Sequence, residues 1–149
     1  MGFLPVVAMV GRMVLLFALL MLVPLGFAWY DHDRGEDAFI TATLITFGAG
    51  VLMSLATRRF RRELQPRDGF LLVTLTWLVL PAFATLPLLL AIPGLSFTDA
   101  YFETMSGLTT TGATVLTGLE KLPLSVNVWR CFMVLVGGMG IIVLVVAIL

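Results

Sequence analysis

At 149 residues the chain has the length of one small domain, yet 60% of it is hydrophobic, only 12% is charged and the mean hydropathy is +1.07. Soluble domains carry about 25% charged residues, so this composition excludes an ordinary soluble fold and places the chain among membrane proteins. A net charge of zero gives no ground for nucleic-acid binding, a lone Cys131 allows no internal disulfide, and a lone His32 argues against a metal site.

A hydrocarbon core about 30 Å thick takes roughly 20 apolar residues of helix. The first such run is 13–30, uncharged, and it extends back to Phe3 if Arg12 snorkels to the interface. A cleavable signal peptide is the other reading. The run lacks a small-x-small cleavage site, and Trp29 and Tyr30 close it like an interfacial belt, so a retained helix is favoured. The second run, 38–57, is uncharged and of spanning length. The third, 69–92, contains Pro81 and Pro87, which kink membrane helices without forbidding them, and Pro93-Gly94 ends it. The last run, 131–149, begins as helix at Ser125, an N-cap after Pro123.

Charge orients these spans. Asp31, Asp33, Glu36 and Asp37 outweigh Arg34 between the first and second. Arg58, Arg59, Arg61, Arg62 and Arg67 outweigh Glu63 and Asp68 between the second and third. Short basic loops stay cytoplasmic, so the arginine linker and the N-terminus are expected inside. A nucleic-acid or partner patch is the competing reading of these arginines, but the two flanking apolar spans favour topology.

Residues 96–122 are too polar for a good span and too apolar for an ordinary external loop. Ser96-Phe97-Thr98-Asp99 has capping-box spacing and opens a short helix with Phe97, Ala100, Tyr101, Met105 and Leu108 as its apolar positions, running to about Gly107. Asp99 and Glu103 suit the positive end of its dipole. Thr109-Thr110-Thr111-Gly112-Ala113-Thr114-Val115 then favours extended backbone, with Gly112 free to take angles that other residues resist. A short helix, an extended strand and a return describe a pore loop, in which backbone carbonyls replace the hydration shell of a cation. A polar external turn, or a Ser/Thr-lined helix contact, is the plainer alternative.

The runs Ser96–Ala100 and Ser106–Val115 resemble the first pore region of the bacterial Trk-type potassium transporters, in the wider Trk/Ktr/HKT superfamily. So do Arg67-Asp68-Gly69-Phe70, Trp129-Arg130 and the run 137–143. The resemblance implies an all-α integral membrane protein: a leading helix pair (1–57), a cytoplasmic Arg-rich linker (58–68) and one helix–pore-loop–helix repeat (69–149). Within that repeat the pore helix falls at about 97–107 and the filter at about 109–115. It implies potassium-binding carbonyls at Thr110, Thr111, Gly112 and Ala113, filter support from Thr109, Thr114, Glu103 and Arg130, and potassium as the transported ion with no enzymatic activity. A glycine at position 112, where sodium-preferring members carry serine, leans toward potassium. It also implies a bacterial inner-membrane location and a homodimer above a cytoplasmic nucleotide-binding regulatory subunit. Channel-like flow and proton or sodium symport both stay open.

The family's pore is built from four such repeats, and one is present here. The chain is therefore expected to be an N-terminal piece of a longer protein that does not conduct as a monomer; a homotetramer is less favoured. The rival is a non-conducting membrane subunit or scaffold in which 96–122 forms an external packing hairpin. Arg130 either pairs with Glu103 or Glu120 or snorkels, and Gly137, Gly138 and Gly140 read as packing positions rather than a hinge.

Overall fold

The computed structural model describes residues 3–59 and 66–148, and among them every regular element is helical. The order is α1 (Phe3–Leu20), α2 (Leu22–Asp31), α3 (Glu36–Ala56), α4 (Pro66–Ala91), α5 (Phe97–Leu108), a 3-10 turn at Leu119–Lys121, and α6 (Leu124–Ile148). Among the described residues four stretches are long and apolar enough to cross a membrane: Leu4–Asp31, Glu36–Ala56, Asp68–Ala91 and Leu124–Ile142. Large apolar side chains on their outer faces, among them Leu16, Leu44, Leu52 and Leu135, are exposed, as suits a lipid surround. Arg61, Arg62 and Glu63, part of the charge balance expected to hold the linker inside, lie outside the described residues.

The first apolar run is not one continuous helix. Pro24 has no N–H for the carbonyl of Leu20, and its ring crowds that turn, so the helix breaks at Met21. The break is shallow. Met21 keeps helical angles (φ −65°, ψ −17°) and its N–H still reaches the Phe17 carbonyl at 3.1 Å, which keeps Leu4–Asp31 a single span. Arg12 lies within that span and is exposed.

Trp129 is the centre of the core. Its ring meets Phe17 of α1 at 5.4 Å, Phe39 of α3 edge-on at 6.1 Å and Phe132 at 6.5 Å. Its indole N–H donates to the Ala84 carbonyl of α4 at 3.2 Å, so this large ring is buried with its one polar atom satisfied. A second cluster, Val6, Val10 and Val14, packs α1 against Met53 of α3 and Leu71, Leu72 and Leu75 of α4.

The connections gather at two ends. Asp31–Arg34, Ile92–Pro93 and Lys121–Leu124 line one open cleft. Arg12 and Arg58 line another, between α1 and the end of α3. The acidic turn thus shares an end with the α4–α5 connection.

Candidate functional site

Ser96 starts α5 with extended angles (φ −75°, ψ 153°) and accepts the Asp99 N–H at 3.1 Å, while its hydroxyl donates to Asp99 Oδ2 at 2.8 Å. The helix is propped on α4 by two hydroxyls: Tyr101 donates to the Leu78 carbonyl at 3.0 Å and Thr104 to the Pro81 carbonyl at 2.9 Å. The expected apolar face is only partly the buried one. Ala100 and Leu108 are buried, but so are Glu103, Thr104, Ser106 and Gly107, while Phe97 is exposed. The neighbours explain this: α4 offers a carbonyl to Thr104, α6 a guanidinium to Glu103 and the following loop a carbonyl to Ser106, so these polar side chains are buried with partners.

Past Leu108 the amide hydrogens fold back onto the end of α5. Thr109 N–H donates to the Met105 carbonyl at 2.9 Å and Thr110 N–H to Gly107 at 2.9 Å. Thr111 and Gly112 both donate to Ser106, at 2.9 and 3.3 Å. In a trans peptide the carbonyl points opposite to the following N–H, and no cis bond occurs here. The carbonyls of Thr109, Thr110 and Thr111 therefore point away from the helix end, on a common side. Among the described residues no hydrogen-bond donor reaches the carbonyls of Thr110, Thr111 or Gly112. This arrangement needs left-handed backbone at Thr110 (φ 60°) and Gly112 (φ 75°). Glycine takes it freely, but a β-branched residue there is strained by on the order of 1–3 kcal/mol, which the surrounding bonds must hold. Ala113 differs from its neighbours, since its carbonyl accepts the Ser106 hydroxyl at 2.6 Å.

A buried carboxylate clamps the far end of the loop. Glu103, 4% exposed, uses both oxygens. Oε1 accepts from Arg130 Nε at 2.7 Å and from its terminal nitrogen at 2.5 Å. Oε2 accepts from the Thr114 hydroxyl at 2.9 Å and the Val115 N–H at 3.2 Å. Of the partners open to Arg130, the structure chooses Glu103 over Glu120. One carboxylate thus joins α5, the loop at Thr114–Val115 and α6, and a small open cleft of about 120 Å³ lies between Glu103, Ser106, Gly112, Arg130 and Cys131.

Helix α6 approaches without side-chain bulk. A Cβ at Gly137 would stand 1.9 Å from the Leu108 carbonyl oxygen, and one at Gly107 would stand 3.2 Å from Met133 Cβ. Gly138 faces a Thr110 methyl at 3.6 Å, and Gly140 has nothing within 4 Å. Packing accounts for the first of the three α6 glycines and not the last.

The start of α6 corrects another expectation. The helix opens at Leu124, and Ser125 lies inside its first turn rather than capping it. The cap comes from the α2–α3 turn: Asp33 accepts the Ser125 N–H at 2.8 Å and its hydroxyl at 3.0 Å, and also the Gly35 N–H at 2.7 Å. A carboxylate there also complements the positive end of the α6 dipole. Sequence reasoning missed Asp33 and Ser106. Asp33 is separated from its target by 92 residues, and Ser106 acts across a loop, so neither leaves a local signal.

The eight candidate residues thus fall in one place. Thr110, Thr111 and Gly112 form the turn, Thr109 and Ala113 flank it, and Thr114, Glu103 and Arg130 form the clamp beside it. Thr109 to Val115 are exposed on this chain.

Fold and site together define a multi-pass helical membrane protein with a short helix and a carbonyl-presenting turn between two spans. The chain belongs to the TrkH family of cation transport proteins, which matches residues 35–149. It is 46% identical to the Trk system potassium uptake protein TrkH of Halomonas elongata over 97% of this chain and 30% of that protein. Identity to the TrkH of Vibrio parahaemolyticus is 44% over the whole chain and 31% of that protein. Identity to the potassium uptake protein TrkG of Escherichia coli is 34%, over 95% of this chain and 29% of that protein. The crystal structure of the potassium transporter TrkH from Vibrio parahaemolyticus superposes with a TM-score of 0.92 at 43% identity, covering 99% of this chain and 32% of that one. The chain therefore spans less than a third of the length of these relatives.

Proposed function

We propose that this chain forms the leading helix pair and first pore repeat of a potassium uptake protein, and that the Thr109–Ala113 turn supplies one strand of its selectivity filter. The observation that carries this reading is the run of carbonyls at Thr109, Thr110 and Thr111 turned to one side while their amides are spent on the end of α5. Oxygens without donors, at the carbonyl end of a short helix, make a place where a dehydrated cation is favoured over an anion or a neutral solute. Three features support this shape: left-handed backbone at Thr110, left-handed backbone at Gly112 and the Glu103 clamp. Thr110, Thr111 and Gly112 lend carbonyls outright, while Ala113 has one acceptor position already taken by Ser106. Because one strand supplies about a quarter of a coordination shell, uptake belongs to the full-length protein.

The same reading puts the acidic turn and the α4–α5 connection on the outer face of a bacterial inner membrane, with the N-terminus and the arginine linker in the cytoplasm. Support comes from the separation of the acidic turn from Arg12 and Arg58 at the two ends of the bundle. A homodimer above a nucleotide-binding regulatory subunit completes the proposal, and rests on the family resemblance alone.

Gly112 is the direct test. Its Cβ direction is open space, but its φ of 75° costs a substituted side chain about 1–2 kcal/mol. In a potassium-uptake-deficient strain expressing the full-length protein, Gly112→Ser should raise the potassium needed for growth about tenfold. Gly112→Asp, which adds a charge at the ion path, should abolish rescue. Undisturbed growth with both variants would overturn the filter assignment.

A further inference from the structure

Ser106 grips three consecutive loop residues at once. Its carbonyl takes the amides of Thr111 and Gly112, and its hydroxyl donates to the Ala113 carbonyl at 2.6 Å, the shortest hydrogen bond in the loop. The side chain is 5% exposed, in the last turn of α5. Two consequences follow from this geometry. The hydroxyl holds the Ala113 carbonyl toward α5, whereas the carbonyls of Thr109, Thr110 and Thr111 point away from it. It also draws electron density from that oxygen, which weakens it as a cation ligand. The main-chain bonds of Ser106 do not depend on its side chain, so the two grips are separable by substitution.

We propose that Ser106 is a specificity-determining residue: its hydroxyl withholds the Ala113 carbonyl from the ion path, ending this strand's set of ligands at Gly112. The inference rests on the filter reading above and adds a limit to it. A strand with one fewer free oxygen leaves a looser cage at that level, which suits a large cation. An unheld Ala113 carbonyl can swing to the ion path and close the shell around a smaller one. Ser106→Ala should therefore relax discrimination against sodium while leaving the Thr111 and Gly112 amides in place.

The test is ion uptake by the full-length protein in vesicles, comparing the KM for rubidium with the concentration of sodium that halves rubidium uptake. Ser106→Ala should bring the two closer by about three- to tenfold, the range expected for loss of one hydrogen bond. Ser106→Thr, which keeps a hydroxyl, should restore the parental ratio. A fall in maximal rate with an unchanged ratio would show that Ser106 merely packs the helix end, and the proposal would fail. Should Ser106→Ala not reach the membrane, Ser106→Cys decides. It is nearly isosteric with a weak donor, so a shifted ratio supports the proposal and an unshifted one overturns it. Absence of uptake by the parent, or indifference to Gly112→Ser, would instead remove the filter reading itself.

Discussion

The contact between α1 and α3 and the hairpin of α5, loop and α6 lie in one bundle but are held together by different forces. Where α1 meets α3, the helices close through glycines: a Cβ at Gly11 would stand 2.9 Å from Met53 Cβ, and one at Gly50 2.8 Å from Leu15 Cγ. The hydroxyls of Thr46 and Thr57 turn to carbonyls of their own helix, and among the described residues no side-chain hydrogen bond crosses from α1 to α3. The hairpin is the reverse. Tyr101, Thr104, Glu103, Ser106 and Arg130 each bond outside their own helix. Long helices satisfy their own backbone, so close approach is enough to pack them where lipid gives no hydrophobic push. A twelve-residue helix followed by irregular chain cannot do so, and needs named partners at each end.

Glu103→Ala attacks that difference hardest. It strips Arg130, Thr114 and Val115 of one shared acceptor, and breaking a buried pair from one side costs about 3–5 kcal/mol. Unfolding of the purified protein in detergent should register that loss, and Glu103→Gln, which keeps an acceptor for Thr114 and Val115, should lose less. A cost near the ~0.5 kcal/mol of an ordinary surface change would mean the polar network is not what holds the hairpin. Gly137→Ala tests the one place where the hairpin also depends on close packing. With the Leu108 oxygen 1.9 Å from the new methyl, α6 must move away, at about 1–3 kcal/mol, while Gly140→Ala should stay within about 0.5 kcal/mol. Equal effects at the two positions would break the assignment.

The smallest effect is expected at the seam between the regions. Asp33→Ala removes the cap that the leading helices lend to α6, worth about 1 kcal/mol. Amide exchange should quicken at the start of α6 and stay unchanged within α1 and α3. Quickening in all three helices would show that the two regions melt as one.

Legibility in the sequence followed the same division. The spans could be read because lipid demands a length of apolar residues that few other structures share, and the Ser96–Asp99 spacing announced α5 by a purely local rule. The turn at 109–114 was legible as irregular from its threonines and glycine, but not its details. Nothing in a threonine marks Thr110 for left-handed backbone, and the carbonyls that bond this turn and the glycine that packs on it come from α5 and α6. The buried face of α5 was misjudged for a related reason. Hydrophobic periodicity assumes that burial favours carbon, whereas here Glu103, Thr104 and Ser106 are buried because partners await them.

The sequence alone determined that this chain lives in a bilayer, where its spans lie, and that residues 109–114 leave regular helix. Those properties are set by composition and by neighbours a few residues apart. Only the tertiary structure decided which acid receives Arg130, that Ser106 holds Ala113 and that Asp33 caps a helix 92 residues away. Hydrogen bonds act over about 3 Å of space with no reference to chain separation, so the residues that aim the loop's carbonyls are known only once the helices are packed.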